Sequence, residues 1–529
     1  NCTLDPYYWD PADVDWRTTL FASPYLDTPL TGDLSKGPRG TNRWGFQDLE
    51  YVPPEAVTGR LAESWEVLDK QTIVFHLRKG IMWQDRPGVM NARELTADDV
   101  VFSLNRIMDG PKGKAQGYFV SFATPGAASA RDKYTVVVKM KEFNADWDNL
   151  IGWGYWPLIH PPELVKAGIT NWRNAVGTGP FIMKDYVSGA SLTWEKNPNY
   201  WGKTTIGGKE YRIPFVDKMV WPIIIDESTQ LAALRTGKVD HAVVVSWKYV
   251  ESLQKTNPEL VKYTWMAGGF GGISARMDVK PFDDLRIRQA LSMAVDREAM
   301  IKTLLGGDGV VLQGPFSSKW PETLYTPLDK LPESARELFK YNPEKAKQLL
   351  AEAGYPKGMK TDMVYISGAT ADDTTAMLKD FWKNIGVEVE LKPLDYATYI
   401  SVQYGKTYKG LFYISKGGGT PLSVLQLITQ PGGYWNTSQF SDPYFDQKLL
   451  KAQSIVDAAE RNQLLKELNV YLIERCVYIT LPSGYRYLYN HPWVMNFYGE
   501  INTGCRNASL VYATMWIDRD LREKMIGRR

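Results

Sequence analysis

The chain has 529 residues, with 62 Lys and Arg against 60 Asp and Glu, a formal charge of +2. That length exceeds what one hydrophobic core fills and points to two or three domains. The balanced charge gives no reason to expect nucleic acid or an anionic membrane as a partner, and 44% hydrophobic with 23% charged residues excludes long disorder.

In chain order, Thr72–Arg78 read as a strand, with turns at Gly80 and Asp85-Arg86-Pro87-Gly88. Thr96 followed by Asp98 and Asp99 is a helix start, and Val100, Val101, Leu104 and Ile107 give residues 96–108 one apolar face. Residues 133–140 alternate as a strand. Gly177-Thr178-Gly179-Pro180-Phe181 leads into a hairpin that turns at Ser188-Gly189. Residues 227–236 form a helix closed by Gly237, and Val239–Val245 a buried strand. The glycines at 268, 269, 271 and 272 mark either a connection between lobes or an ordinary loop. Residues 284–304 read as one long helix. Further helices are expected at 343–353, 372–385 and 442–474, the last broken near Ala458, with a strand at 387–392. Helices alternating with single strands imply mixed α/β lobes.

There are three cysteines. Cys476 can pair with Cys505, or Cys2 with Cys505, and three buried free thiols are the alternative. No apolar run of about 18 residues is present, so no membrane-spanning helix is expected. The sequence starts at Asn1 without Met, as a processed export segment (signal peptide) or a trimmed boundary would leave it; Cys2 is a conceivable lipid-attachment site, although Asn1 precedes it. Nineteen Trp and thirty Tyr exceed what an average core requires, so some are expected to line a solute cleft.

Catalytic patterns are absent. His76, His160, His241 and His491 are scattered, with no zinc spacing, no nucleophile elbow and no phosphate loop. Asp98-Asp99 and Asp283-Asp284 are adjacent acids, which suit helix starts better than an acid/base pair. No enzyme activity and no cofactor are expected. A secreted hydrolase with carboxylates brought together by the fold is the competing class.

Four blocks carry a family resemblance. The first runs through Leu61-Ala62-Glu63-Ser64-Trp65-Glu66, Phe75–Gly80 and Thr96–Ser103. The second joins Gly177–Phe181 to Asn197-Pro198-Asn199-Tyr200-Trp201. The third is Arg286–Arg297, and the fourth is Tyr341–Leu350 with Ala353-Gly354-Tyr355-Pro356. In this order they resemble the family 5 extracellular solute-binding proteins, which include oligopeptide-, dipeptide-, nickel- and oligosaccharide-binding receptors. The resemblance implies an α/β, two-lobed periplasmic-binding-protein fold of type II, in the large form, with mixed sheets flanked by helices. Residues 1–268 and 482–529 would form the first lobe, with an extra subdomain within about 45–180, and 269–481 the second. It implies a monomeric receptor, periplasmic or extracellular, with lipid anchoring at the outer face of the cytoplasmic membrane as the alternative, that captures a polar solute between its lobes for ABC importer permeases. A sensor or chaperone on the same fold is a third possibility.

For the solute, peptide-binding relatives place an Asp after an aromatic strand end in the second lobe. Here that stretch reads Leu411-Phe412-Tyr413-Ile414-Ser415-Lys416-Gly417-Gly418-Gly419, and no acid occurs between Asp395 and Asp442. A buried ammonium without a counter-charge costs several kcal/mol. An oligosaccharide or related polar conjugate is therefore the preferred solute, a peptide bound without that salt bridge the second, and a nickel or haem complex the third. Candidate contacts are Tyr8, Trp9, Phe270, Trp320, Phe412, Trp435, Tyr485 and Tyr487 for stacking, Ser415 and Lys416 for polar groups, Gly418 for close backbone approach and Arg486 for an anion.

Overall fold

Strands β1 (Ala62–Asp69) and β2 (Thr72–Leu77), helix α1 (Ala97–Asp109), and strands β3 (Ala123–Asp132) and β4 (Thr135–Met140) form the first sheet and its cover. The strand order is β1-β2-β4-β3. Asp99 explains the acids that open α1: it accepts from the Thr96 amide at 3.0 Å and takes both ends of the Arg93 guanidinium at 2.8 and 2.6 Å. Val100, Leu104 and Ile107 are buried, as the apolar spacing predicts, whereas Val101 is half-buried. The structure, a computed structural model, describes residues 6, 9–12, 16–48, 50–109, 119, 122–266, 270–311, 314–416, 419–433 and 435–528.

Strands β5 (Phe181–Val187) and β6 (Ser191–Lys196) make the expected hairpin, and β7 (Lys218–Pro222) pairs with β6. The glycines before it serve packing. A Cβ at Gly177 would sit 1.7 Å from the Tyr25 carbonyl oxygen, so the backbones touch only because no side chain intervenes. Asn197 Nδ2 donates to the Gly179 carbonyl at 2.9 Å, which ties the two halves of the second block together. Trp194 and Trp221 pack with ring centroids 4.4 Å apart in the core beneath.

Strands β8 (His241–Val245) and β9 (Val261–Met266) come next, then β10 (Phe270–Ala275). The long helix expected over 284–304 is two helices, α2 (Leu285–Met293) and α3 (Arg297–Leu304). The break falls at Asp296, whose carboxylate caps α3 by accepting from the Ala299 amide at 2.9 Å. Arg297 turns inward there, donating to the carbonyls of Thr480 (3.0 Å) and Ser292 (3.1 Å). A periodic apolar face continues through the break, so periodicity alone conceals it.

Strand β11 (Gly309–Val310) is followed by α4 (Pro343–Glu352), β12 (Met359–Ile366), α5 (Ala369–Lys383), β13 (Val387–Leu394), α6 (Tyr396–Gly405), β14 (Leu411–Lys416), α7 (Pro421–Thr429), α8 (Pro443–Ser454) and α9 (Ala458–Glu474). Strands β15 (Tyr478–Thr480) and β16 (Ser483–Asn490) follow. A five-stranded sheet has the order β13-β12-β14-β10-β15, and its core includes Ile273, Ile287, Leu291, Met363, Trp382 and Leu411.

The chain divides into two compact units, residues Asn1–Trp265 with Arg486–Arg529, and residues Met266–Tyr485. Cys476 and Cys505 are both buried free thiols, one in each unit, so they do not form the considered pair; Cys2 lies outside the described residues. Among the described residues no helix is long and apolar enough to cross a membrane.

Candidate functional site

The sheet of the unit Met266–Tyr485 has one chemically distinctive edge. Strands β12 and β13 are parallel, as are β12 and β14, whereas β10 runs antiparallel to β14 and to β15. The carboxyl ends of β12, β13, β14 and β15 (Ile366, Leu394, Lys416 and Thr480) therefore share an edge with the start of β10. Ligands of open α/β sheets bind outside such carboxyl ends. Helices α5, α6 and α7 start from the same edge, so their amide-rich, electropositive ends gather there. The chain enters the sheet at this edge through β10 and leaves it after β15.

Local chemistry fixes two of these helix starts. Asp395 caps α6, accepting from the amides of Ala397 (3.0 Å) and Thr398 (3.1 Å). Thr420 caps α7 through the Ser423 amide at 3.0 Å, with Pro421 at the first helical position. Neither helix was among the expected elements, although Asp395 with Thr398, and Thr420-Pro421 after the glycines, are readable start signals.

The acid-free segment keeps its character in the structure. Its two flanking carboxylates are occupied elsewhere. Hydrogen bonds from Thr398 hold Asp395 below the usual carboxylate range. Asp442 caps α8 through the Tyr444 amide at 2.9 Å and accepts from the Tyr471 hydroxyl at 2.5 Å. Among the described residues of 396–441 there is thus no carboxylate to meet a solute's ammonium.

The expected contact residues fall into three groups. Tyr8 and Gly418, and the side chains of Phe270, Ser415 and Lys416, lie outside the described part. Trp9, Trp320, Phe412 and Tyr487 are buried. Phe412 is fully covered, between the rings of Tyr399 and Tyr408 at 4.7 and 4.5 Å. A central strand with both faces covered has a continuous apolar run, which accounts for Leu411, Phe412 and Ile414 together. Trp9 packs edge-on against Tyr186 at 5.8 Å, Trp320 against Phe316 at 5.4 Å, and Tyr487 lies under Lys262 at 5.9 Å. Trp435 and Tyr485 are half-buried and Arg486 is exposed. Side chains alternate along β16, so Tyr485 and Tyr487 take one face and Arg486 the other.

Nothing in the described residues resembles a metal centre, since no group of three or more His, Cys, Asp or Glu is placed to hold an ion. A cavity of about 10 Å³ lined by Ser292, Leu338, Cys476 and Thr480 has room for at most one water and none for a solute.

The family model described as bacterial extracellular solute-binding proteins, family 5 middle, matches residues 56–457, more than half of the chain. The chain belongs to this family. As a family 5 protein it is a solute-binding receptor of an ABC importer and not an enzyme. Heme-binding protein A of Haemophilus influenzae is 28% identical over 446 residues, spanning 79% of this chain and 77% of that protein. The dipeptide-binding protein of Escherichia coli is 29% identical over 367 residues, 65% of each chain. Among solved structures, the ABC transporter-associated periplasmic binding protein DppA from Helicobacter pylori, in complex with the peptide STSA, superposes with a TM-score of 0.76 at 22% identity, covering 97% of this chain and 96% of that one. AgaA of Agrobacterium tumefaciens R10, in complex with agropinic acid, gives 0.76 at 23% identity and 98% coverage of both. The fold of this family 5 receptor is that of the type II periplasmic binding proteins.

Proposed function

We propose that this receptor captures a polar solute with no free ammonium group to be buried, an oligosaccharide or related conjugate before a peptide, and delivers it to permease subunits. The observation that carries this is the acid-free stretch from Tyr396 to Ser441 at the carboxyl edge of the sheet, where both neighbouring acids are committed to helix caps. Desolvating an ammonium there without a counter-charge costs several kcal/mol. The agropinic acid held by AgaA gives this reading a precedent among similar folds. A peptide is the second reading, favoured by the relatives named for dipeptide and di/tripeptide binding.

The protein works as a monomer on the outer side of the cytoplasmic membrane, with the unit Met266–Tyr485 as the second lobe and the remainder as the first. Within the expected site, Tyr485, Trp435 and the start of α7 at Thr420-Pro421 are the parts we assign to the solute. They retain accessible surface or begin at the helix-start edge.

A thermal-shift screen of neutral oligosaccharides, sugar–amino-acid conjugates and free tripeptides tests the reading. A solute present at a hundred times its Kd adds about 2.7 kcal/mol of stability. Oligosaccharides or conjugates are expected to give the largest shift. A strong shift with free tripeptides and none with the others refutes the solute class.

A further inference from the structure

Arg60 stands just ahead of the first family block, inside the unit Asn1–Trp265 with Arg486–Arg529, and is 1% exposed. Its Nη2 is used twice, in an ion pair with Asp27 and in a hydrogen bond to Ser509 Oγ at 3.0 Å. Asp27 is buried as well, and its second oxygen accepts from Thr178 Oγ1 at 2.9 Å, so the carboxylate is committed. Arg60 Nε and Nη1, which carry three N–H donors, have no hydrogen-bond partner among the described residues. No other buried arginine described leaves two nitrogens unanswered. Arg288 and Arg297, which also lack a carboxylate partner, donate to backbone carbonyls.

Tyr200, in the second family block of the same unit, lies beside this guanidinium. It is 2% exposed, and its hydroxyl has no partner either. Its ring lies so close over Gly202 that a Cβ there would come within 2.3 Å of Cε1, which fixes where the hydroxyl points. Burial first, then the Asp27 charge, raise the Tyr200 pKa, while Arg60 and Arg78 oppose them, so all three charges surround the hydroxyl. Arg78 donates from Nε to the Arg60 carbonyl at 2.9 Å and lies over the Trp201 ring at 5.5 Å, and it meets no carboxylate among the described residues. Two guanidiniums therefore share one carboxylate, and unanswered donors outnumber unanswered acceptors. Buried polar groups in folded proteins are answered by protein, water or an ion. A water adds two more donors to such a group, whereas an anion only accepts and also cancels the surplus charge.

We propose that this is a binding site for a small monovalent anion of the halide class, held by Arg60 Nε and Nη1 and the Tyr200 hydroxyl, and separate from the solute site. The anion ties the segment of Asp27 to the first two family blocks.

The test is thermal unfolding of the full chain at equal ionic strength, about 0.15 M, in sodium chloride, bromide and gluconate, together with anomalous diffraction from a crystal grown in bromide. The midpoint in chloride or bromide is expected to exceed that in gluconate, an anion too large to enter, by about 3 °C or more, and a bromide peak should lie between Arg60 and Tyr200. Tyr200→Phe keeps the ring and removes one donor. It should unfold in gluconate no lower than the wild type and retain at most about half of the halide increment. Arg78→Gln, at a half-exposed position, should shrink the increment in the same way, and decides the question if Tyr200→Phe does not fold. A midpoint indifferent to the choice of anion, an increment undiminished in the deciding variant, or density at the site without a bromide signal, as a water would give, overturns the proposal.

Discussion

His160 shows how far burial determines what a single residue does. Its ring is wholly buried, Nδ1–H donates to the Leu158 carbonyl at 2.9 Å, and Nε2 accepts from Arg106 at 3.3 Å. Arg106 also grips Asp10 with two contacts of 2.6 Å, and that bond holds the Asp10 carboxyl low although burial raises it. Burial first, and the nearby Arg106 charge, push the His160 pKa down to about 4. The unfolded value is about 6.5, so the neutral form's contribution is complete above that pH and is lost as pH falls toward 4. Up to about 3 kcal/mol of unfolding free energy should disappear across that window, and His160→Gln should flatten part of the slope in denaturant titrations at several pH values. His241, also pushed down to about 4 by burial, adds a comparable loss of its own and keeps the remaining slope in that variant. Arg297 is the opposite case, a charge kept in the core. Burial lowers its pKa to about 10, and its donors satisfy the carbonyls of Ser292, Leu338 and Thr480. Arg297→Gln should destabilise the protein by roughly 3 kcal/mol or more, because buried carbonyls lose their partners. A chemical-denaturation midpoint unchanged from wild type would contradict this.

At the scale of elements, the sequence signals that worked are local ones. Asn342 caps α4 through the Lys345 amide at 3.0 Å with Pro343 at its first position, and Gly354 follows with φ 95°, so the fourth block is a helix with its start and stop marked. Asp457 likewise caps α9, beside the break expected near Ala458. The split between α2 and α3 escaped because the apolar face is continuous across it, while the stop is made by Asp296 and by the inward turn of Arg297. Asp296→Ala should therefore cost about 1 kcal/mol of stability through the lost cap, without loss of the solute-induced thermal shift. A cost near zero in equilibrium unfolding would mean that Asp296 does not hold α3.

On the scale of the whole molecule, the family and the fold were legible in the sequence because the four blocks are caps, turns and core faces. Gly177–Gly179 lies against Tyr25, and Arg288 and Arg297 lock carbonyls; each requirement is met by one residue type, and so leaves a mark in the sequence. The site was legible only in part. The acid-free stretch before Asp442 can be counted from the sequence, because charge is a property of the residue itself. Which aromatics offer a face to solvent cannot, because burial is set by residues far away in the chain. Phe412 is covered by Tyr399 and Tyr408, and Trp9 by Tyr186, so their surface is spent on packing. By itself the sequence determined that the chain is a family 5 receptor with no catalytic constellation, since local caps and close-packed glycines are written in neighbouring residues. Only the tertiary structure decided which side chains keep surface and charge to spare for a solute, since solvent exclusion arises from packing between distant segments.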